Sequence, residues 1–168
     1  MVNVTPPPAR SAQRYFSSAQ LNQLKAIFEG IWPGGPDNPG ATDAGAADYV
    51  DFLLGGSDTV YYEIPTWRTR YSEGLAMLNA ASISRFGAAK PLEALGAVEM
   101  TALLTDLAAG RLTGFPDAAW QQQRFFPTMR AHCIEGCFAD PRWGGNKEGM
   151  IWKWMGYPSG QARDWPFK

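Results

Sequence analysis

Apolar residues recur in this chain at intervals of three and four, and they almost never alternate with polar ones. That spacing lines one face of a helix, whereas a half-buried strand needs a period of two. Leu21, Leu24, Ile27, Phe28 and Ile31 mark a first helix, with Ser17 or Ser18 as its cap and Pro33-Gly34-Gly35-Pro36 as its stop. After a glycine- and proline-rich loop to Gly40, Ala46–Leu54 reads as a short helix. Tyr49, Val50, Leu53 and Leu54 form its stripe, and Gly55-Gly56-Ser57 breaks it. A longer helix is expected from about Thr66 to Arg85, with Pro65 in its first turn and Phe86-Gly87 at its end. Its inward positions are Trp67, Tyr71, Leu75, Leu78 and Ile83.

Pro91–Leu95 reads as a single turn, and Ala97–Ala109 as a helix ending at Gly110 as C-cap. That helix is expected to turn Val98, Leu103, Leu104 and Leu107 inward. Asp117 is suited to cap a last long helix from Ala118 to about Phe138, in which Pro127 predicts a kink or a break. A final short helix is expected over Asn146–Met155. The fold class is therefore all-α, an irregular helical bundle over residues 17–158. An extended arm carrying Pro6-Pro7-Pro8 precedes it over residues 1–16, and residues 159–168 form a C-terminal tail.

At 168 residues the chain fits one domain, and its 45% apolar content supports a core that buries ~70% of the unfolded surface. A net charge of -1 leaves no electrostatic footprint for nucleic acid. No apolar run approaches the ~20 residues that span a bilayer, so no direct membrane insertion is expected. Met1–Arg14 holds neither a twin arginine nor an apolar core segment, so the sequence as written reads as soluble and without an export signal.

Catalytic constellations are sparse. His132 is the single histidine, and no serine stands on a nucleophile elbow. Glu135, Asp140 and His132 are the best candidates for acid/base work, which would need a cleft and shifted pKa values. Against that reading, Asp140 suits the capping of an Asp-Pro-Arg-Trp turn, and Glu135 suits pairing with Arg142 or Lys147. Cys133 and Cys137 stand four apart on one helical face, where parallel side-chain directions make a mutual bridge awkward. Buried thiols are the simpler reading, and a bridge to a partner chain is the other. His132 points to a different side of that helix, which leaves a zinc site short of its four ligands. Gly34-Gly35 and Gly55-Gly56 lack dinucleotide-loop spacing and a preceding strand. Gly144-Gly145-Asn146-Lys147 could aim amides at an anion if a helix begins at Asn146, but a tight turn needs less. No cofactor site is expected on this chain.

The last third is unusual. Glu135-Gly136-Cys137-Phe138-Ala139-Asp140-Pro141-Arg142-Trp143-Gly144-Gly145-Asn146 is followed by Trp152, Trp154 and Gly156-Tyr157-Pro158. Four of the seven tryptophans fall in the final 26 residues, among glycines and prolines too poor in aliphatics to build a core of their own. Rigid aromatics on tight turns either dock against a partner or seal the chain's own core. Trp143, Trp152 and Trp154 could also stack on sugar faces, as in a carbohydrate-binding module, although such platforms usually sit on β-sandwiches.

The ordered string from the Glu-Gly pair through Asp-Pro, Gly-Gly-Asn and Trp to Gly-Tyr-Pro resembles the gluconate 2-dehydrogenase subunit 3 family. The likeness extends more weakly upstream to about Ser18, through Phe86-Gly87, Pro91-Leu92 and the Leu-rich segment up to Gly110. It implies a non-catalytic small subunit that stabilises, matures or helps export an FAD-dependent catalytic subunit of the glucose-methanol-choline type. The assembly would be a heterodimer or larger, with FAD in the partner and a cytochrome c as a possible electron acceptor. It further implies a periplasmic location, although the twin-arginine leader of many family members is missing here, which leaves a cytoplasmic location as the alternative. On this reading Trp143, Gly144, Gly145, Asn146, Trp152, Trp154 and Tyr157 form or brace the contact surface, with Asp140 capping the turn before them.

Overall fold

A computed structural model describes residues 14–56, 61–115 and 122–157. Seven α-helices occur among them: α1 (Ser18–Ile31), α2 (Ala41–Ala44), α3 (Ala46–Gly55), α4 (Ile64–Phe86), α5 (Ala97–Ala108), α6 (Gln122–Phe138) and α7 (Met150–Trp154). Tight 3₁₀ turns lie at Leu92–Ala94, Pro141–Trp143 and Lys147–Gly149. The described residues hold no strand, only an isolated antiparallel bridge between Gly35 and Asn38. The fold is all-α.

Ser17 begins α1 as expected. Its hydroxyl accepts from Gln20 N–H at 3.2 Å while the Gln20 side chain accepts from Ser17 N–H at 3.0 Å, a reciprocal cap. The stripe of α1 (Leu24, Ile27, Phe28) then packs with Val50 and Leu54 of α3, Tyr71, Leu75 and Leu78 of α4, and Leu103 and Leu107 of α5. Phe125, Met129, Cys133 and Cys137 of α6 complete this single core, with Ile151 of α7 closing it from the C-terminal side. The long α4 admits α6 at Gly74, where an added Cβ would stand 2.6 Å from a ring carbon of Phe125.

Several expectations are corrected. Val98 is 84% exposed, and Met100 takes the inward place in α5. Val98 lies five residues before Leu103, about 140° around the helix, while Met100, Leu103, Leu104 and Leu107 share the i, i+3, i+4, i+7 stripe. In α4 the buried position is Ser82 rather than Ile83, which is only half-buried. Ser82 lies eleven residues after Tyr71, on the same stripe, and its hydroxyl donates to Lys90 O at 2.7 Å. Tyr49 and Leu53 sit at the flank of α3, whose buried face holds Ala46, Ala47, Val50, Asp51 and Leu54. Ala109 holds the C-cap place of α5, with Gly110 following at φ 69°.

Pro127 does not break α6, which runs on to Phe138. Ala41–Ala44 makes an unexpected helical turn at the end of the loop. The expected helix over Asn146–Met155 is shorter and starts later, because Asn146 (φ 41°), Glu148 (φ 55°) and Gly149 (φ 68°) are left-handed. The proposed cap at Asp117, the start at Ala118, Ser57, the arm up to residue 13 and the tail over 159–168 lie outside the described residues.

Candidate partner-docking face

The motif that follows α6 is built on close backbone approach. Asn146 N–H donates to Gly136 O at 2.9 Å, tying the Gly-Gly-Asn turn onto the side of α6. A Cβ on Gly145 would overlap Gly136 O and come within 2.9 Å of its carbonyl carbon. On the other side of the same helical turn, a Cβ on Gly136 would stand 2.8 Å from Ala46 Cα. The Ala46, Gly136 and Gly145 backbones therefore stack as three layers, and only glycine fits the second and third.

Asn146, fully buried, locks the turn. Its Nδ2 donates to Ala139 O at 3.1 Å, satisfying a carbonyl past the end of α6. Its Oδ1 accepts from Ile151 N–H at 2.9 Å, satisfying an amide in the first turn of α7. Upstream, Asp140 caps the Pro141–Trp143 turn as expected. Its Oδ1 accepts from Arg142 N–H at 2.9 Å, and its Oδ2 from Arg142 Nη2 at 2.8 Å. The Arg142 guanidinium holds the Asp140 carboxyl below the usual carboxylate range.

The tryptophans face different ways. Trp143, half-buried, packs on Phe52 with centroids 6.0 Å apart. Trp152 donates its indole N–H to Phe138 O at 3.0 Å and meets the Tyr157 ring at 5.7 Å. Trp154 donates to Asp37 O at 2.7 Å, a contact spanning 117 residues, and meets Trp32 edge-on at 6.4 Å. Since Trp32 donates its own indole N–H to Pro39 O at 3.0 Å, two indoles staple the Gly34–Gly40 loop to the C-terminal segment. With three different ring partners, Trp143, Trp152 and Trp154 form no common stacking platform.

What reaches solvent is an aromatic edge comprising Trp154 at 46%, Met155 at 49% and Tyr157 at 39% exposure. Gly145 and Asn146, expected to form or brace the contact surface, are buried inside the chain. Trp143 and Gly144 are half-buried against α3, and Trp152 is half-buried beside Tyr157.

The three candidate acid/base residues each have a different partner. His132 is buried, its Nδ1 hydrogen-bonded to the Tyr71 hydroxyl at 3.0 Å and its ring edge-on to Trp67 at 4.6 Å. Burial lowers its pKa to about 4. Glu135 instead accepts from the Tyr49 hydroxyl at a long 3.4 Å, and burial pushes its carboxyl upward. Asp140 is engaged by Arg142. The expected pairing of Glu135 with Arg142 or Lys147 is corrected, because Lys147 pairs with Asp48 at 2.9 Å. Two of the four amides in the Gly144–Lys147 segment are spent internally: Gly144 N–H donates to Pro141 O and Asn146 N–H to Gly136 O. Cys133 and Cys137 are free and buried, and Cys133 is held above the usual thiol range by its hydrogen bond to Cys137 and by burial. No group of three His, Cys, Asp or Glu side chains converges on a metal position among the described residues.

One anchor escaped sequence reading. Asp51, buried in α3, accepts the N–H groups of Tyr15 and Phe16, both at 2.8 Å, and so fixes where the arm enters the bundle. A carboxylate beside Val50 in an otherwise apolar stripe was the available signal.

Fold and site together define an all-α module whose C-terminal motif is a structural clamp beside an exposed edge of Trp154, Met155 and Tyr157. Its sequence matches gluconate 2-dehydrogenase subunit 3 over residues 18–160, and the chain belongs to that family, which is named for a subunit of a dehydrogenase complex. No curated protein and no solved structure matches the chain.

Proposed function

We propose that this chain is the non-catalytic small subunit of an FAD-dependent sugar or glycoside dehydrogenase of the glucose-methanol-choline type. It binds the flavoprotein and stabilises it, and assists its maturation in or on the way to the periplasm. The observation that carries this reading is the family match over residues 18–160, joined to a motif whose polar groups are spent on bracing an exposed aromatic edge. Burial and internal partners leave His132, Glu135 and Asp140 in structural roles. FAD resides in the partner, and the isolated chain is colourless.

The test is co-expression with the large oxidoreductase subunit, followed by size exclusion monitored at protein and flavin wavelengths. Co-elution of both chains with flavin, and poor flavin loading when the small chain is omitted, are the expected results. A flavin spectrum carried by this chain alone, or separate elution of the two chains, contradicts the reading.

A further inference from the structure

Beside the aromatic edge lies a groove of about 380 Å³ between the Gly34–Gly40 loop and α7. Its lining includes Pro36, Pro39, Met150 and Trp154, together with Asp37 and Asp43. We propose that this groove receives an arginine side chain presented by the catalytic partner, an inference that rests on the accessory-subunit reading.

Charge is the first argument. The groove lining carries two carboxylates and no cation. Neither Asp37 nor Asp43 has an ion-pair partner among the described residues. Asp43 accepts Gly40 N–H through Oδ2 at 3.0 Å, and its other oxygen is left over. Glu29, which does not line the groove, adds negative charge to the loop while its two oxygens accept the N–H groups of Gly34 at 2.7 Å and Thr42 at 3.0 Å. Lys147 is already tied to Asp48, and neither it nor Lys153 of α7 lines the groove.

Pre-organisation is the second. The Trp154 ring is held by its hydrogen bond to Asp37 O and by its edge contact with Trp32, yet nearly half of the residue remains exposed. An aromatic face fixed in place beside carboxylates attracts a cation without an ordering cost at the moment of binding. A planar, weakly hydrated guanidinium can lie on the indole while its N–H groups reach the carboxylates, which the compact ammonium of lysine does less well. A neutral sugar would leave both charges unanswered.

Two measurements test this. First, the labelled chain is titrated with acetyl-Gly-Arg-Gly-amide and with the same peptide carrying neutral citrulline, following the Trp154 indole N–H resonance. A saturable shift with the arginine peptide is expected, about tenfold weaker with citrulline and in Asp37→Asn, as for a lost charge-assisted pair. Because Trp154 uses the backbone carbonyl of Asp37, the substitution leaves the staple intact, and an unchanged melting temperature verifies it. Equal shifts for both peptides, or no shift, overturn the proposal. Second, Asp37→Asn is tested for flavoprotein binding across a salt series, with weaker and less salt-sensitive binding expected. If the wild-type chain binds and Asp37→Asn binds equally well, the groove proposal falls while the accessory role stands. If the wild-type chain itself fails to bind, both fall.

Discussion

Asn146 donates to Ala139 O and accepts from Ile151 N–H while its own backbone sits at φ 41°, a conformation that asparagine tolerates better than most residues. Asn146→Ala removes both partners at once inside a dry site, at a cost of about 1–3 kcal/mol for each group left unpaired. Chemical denaturation of the isolated chain checks this, and Asn146→Asp is expected to be intermediate because it keeps the acceptor facing Ile151. His132 carries a pH signature. Its folded pKa of about 4 lies below the unfolded value of about 6.5, so the unfolded state binds more protons between those limits. Stability from this group is complete above pH 6.5 and declines as pH falls toward 4, by about 3 kcal/mol in all. The raised carboxyl of Glu135 acts in the opposite sense, so the informative quantity is the difference between wild type and His132→Asn. That difference should narrow steadily from pH 6.5 to pH 4, and a constant gap across this window would contradict the assignment.

Among the helices, α5 makes the sharpest statement about packing. Leu103 is fully buried and Val98 lies 84% exposed in the first turn of the same helix. Leu103→Ala is expected to cost about 2–5 kcal/mol. Val98→Lys should stay within about 0.5 kcal/mol, as surface changes usually do. Equal losses in a melting series would show that the stripe has been placed on the wrong face. The same helix shows what was legible beforehand. Ser17, Pro65 and Gly87 mark the ends of α1 and α4 because each solves a local terminal problem that sequence spells out. Val98, by contrast, is as apolar as its neighbours, and only its angle around the helix excludes it. The late start of α7 was hidden for another reason: left-handed Asn146, Glu148 and Gly149 are imposed by the contact with Gly136, residues away in sequence. Gly136 and Gly145 were visible as a motif, but that they serve each other's backbones became apparent only once α6 and the turn lay side by side.

Across the whole molecule, the C-terminal segment does two jobs at once, and the tryptophans divide between them. Trp152 is half-buried and bonded to the end of α6, while Trp154 presents nearly half its surface beside Met155 and Tyr157. The sequence left open whether this tail seals the core or docks a partner; Ile151 and Asn146 seal, and the edge beyond them is free to dock. We propose that this edge docks on the flavoprotein subunit, and paired measurements on Trp152→Ala and Trp154→Ala decide it. Thermal melting of each isolated variant is set beside its affinity for the co-expressed flavoprotein. Trp152→Ala is expected to lose folding stability, by about 3 kcal/mol at the lower end of the range for large aromatics. Trp154→Ala is expected to melt nearly as wild type but to lose about 2 kcal/mol or more of binding, as a central interface anchor does. Wild-type affinity in a normally folded Trp154→Ala chain would contradict the claim.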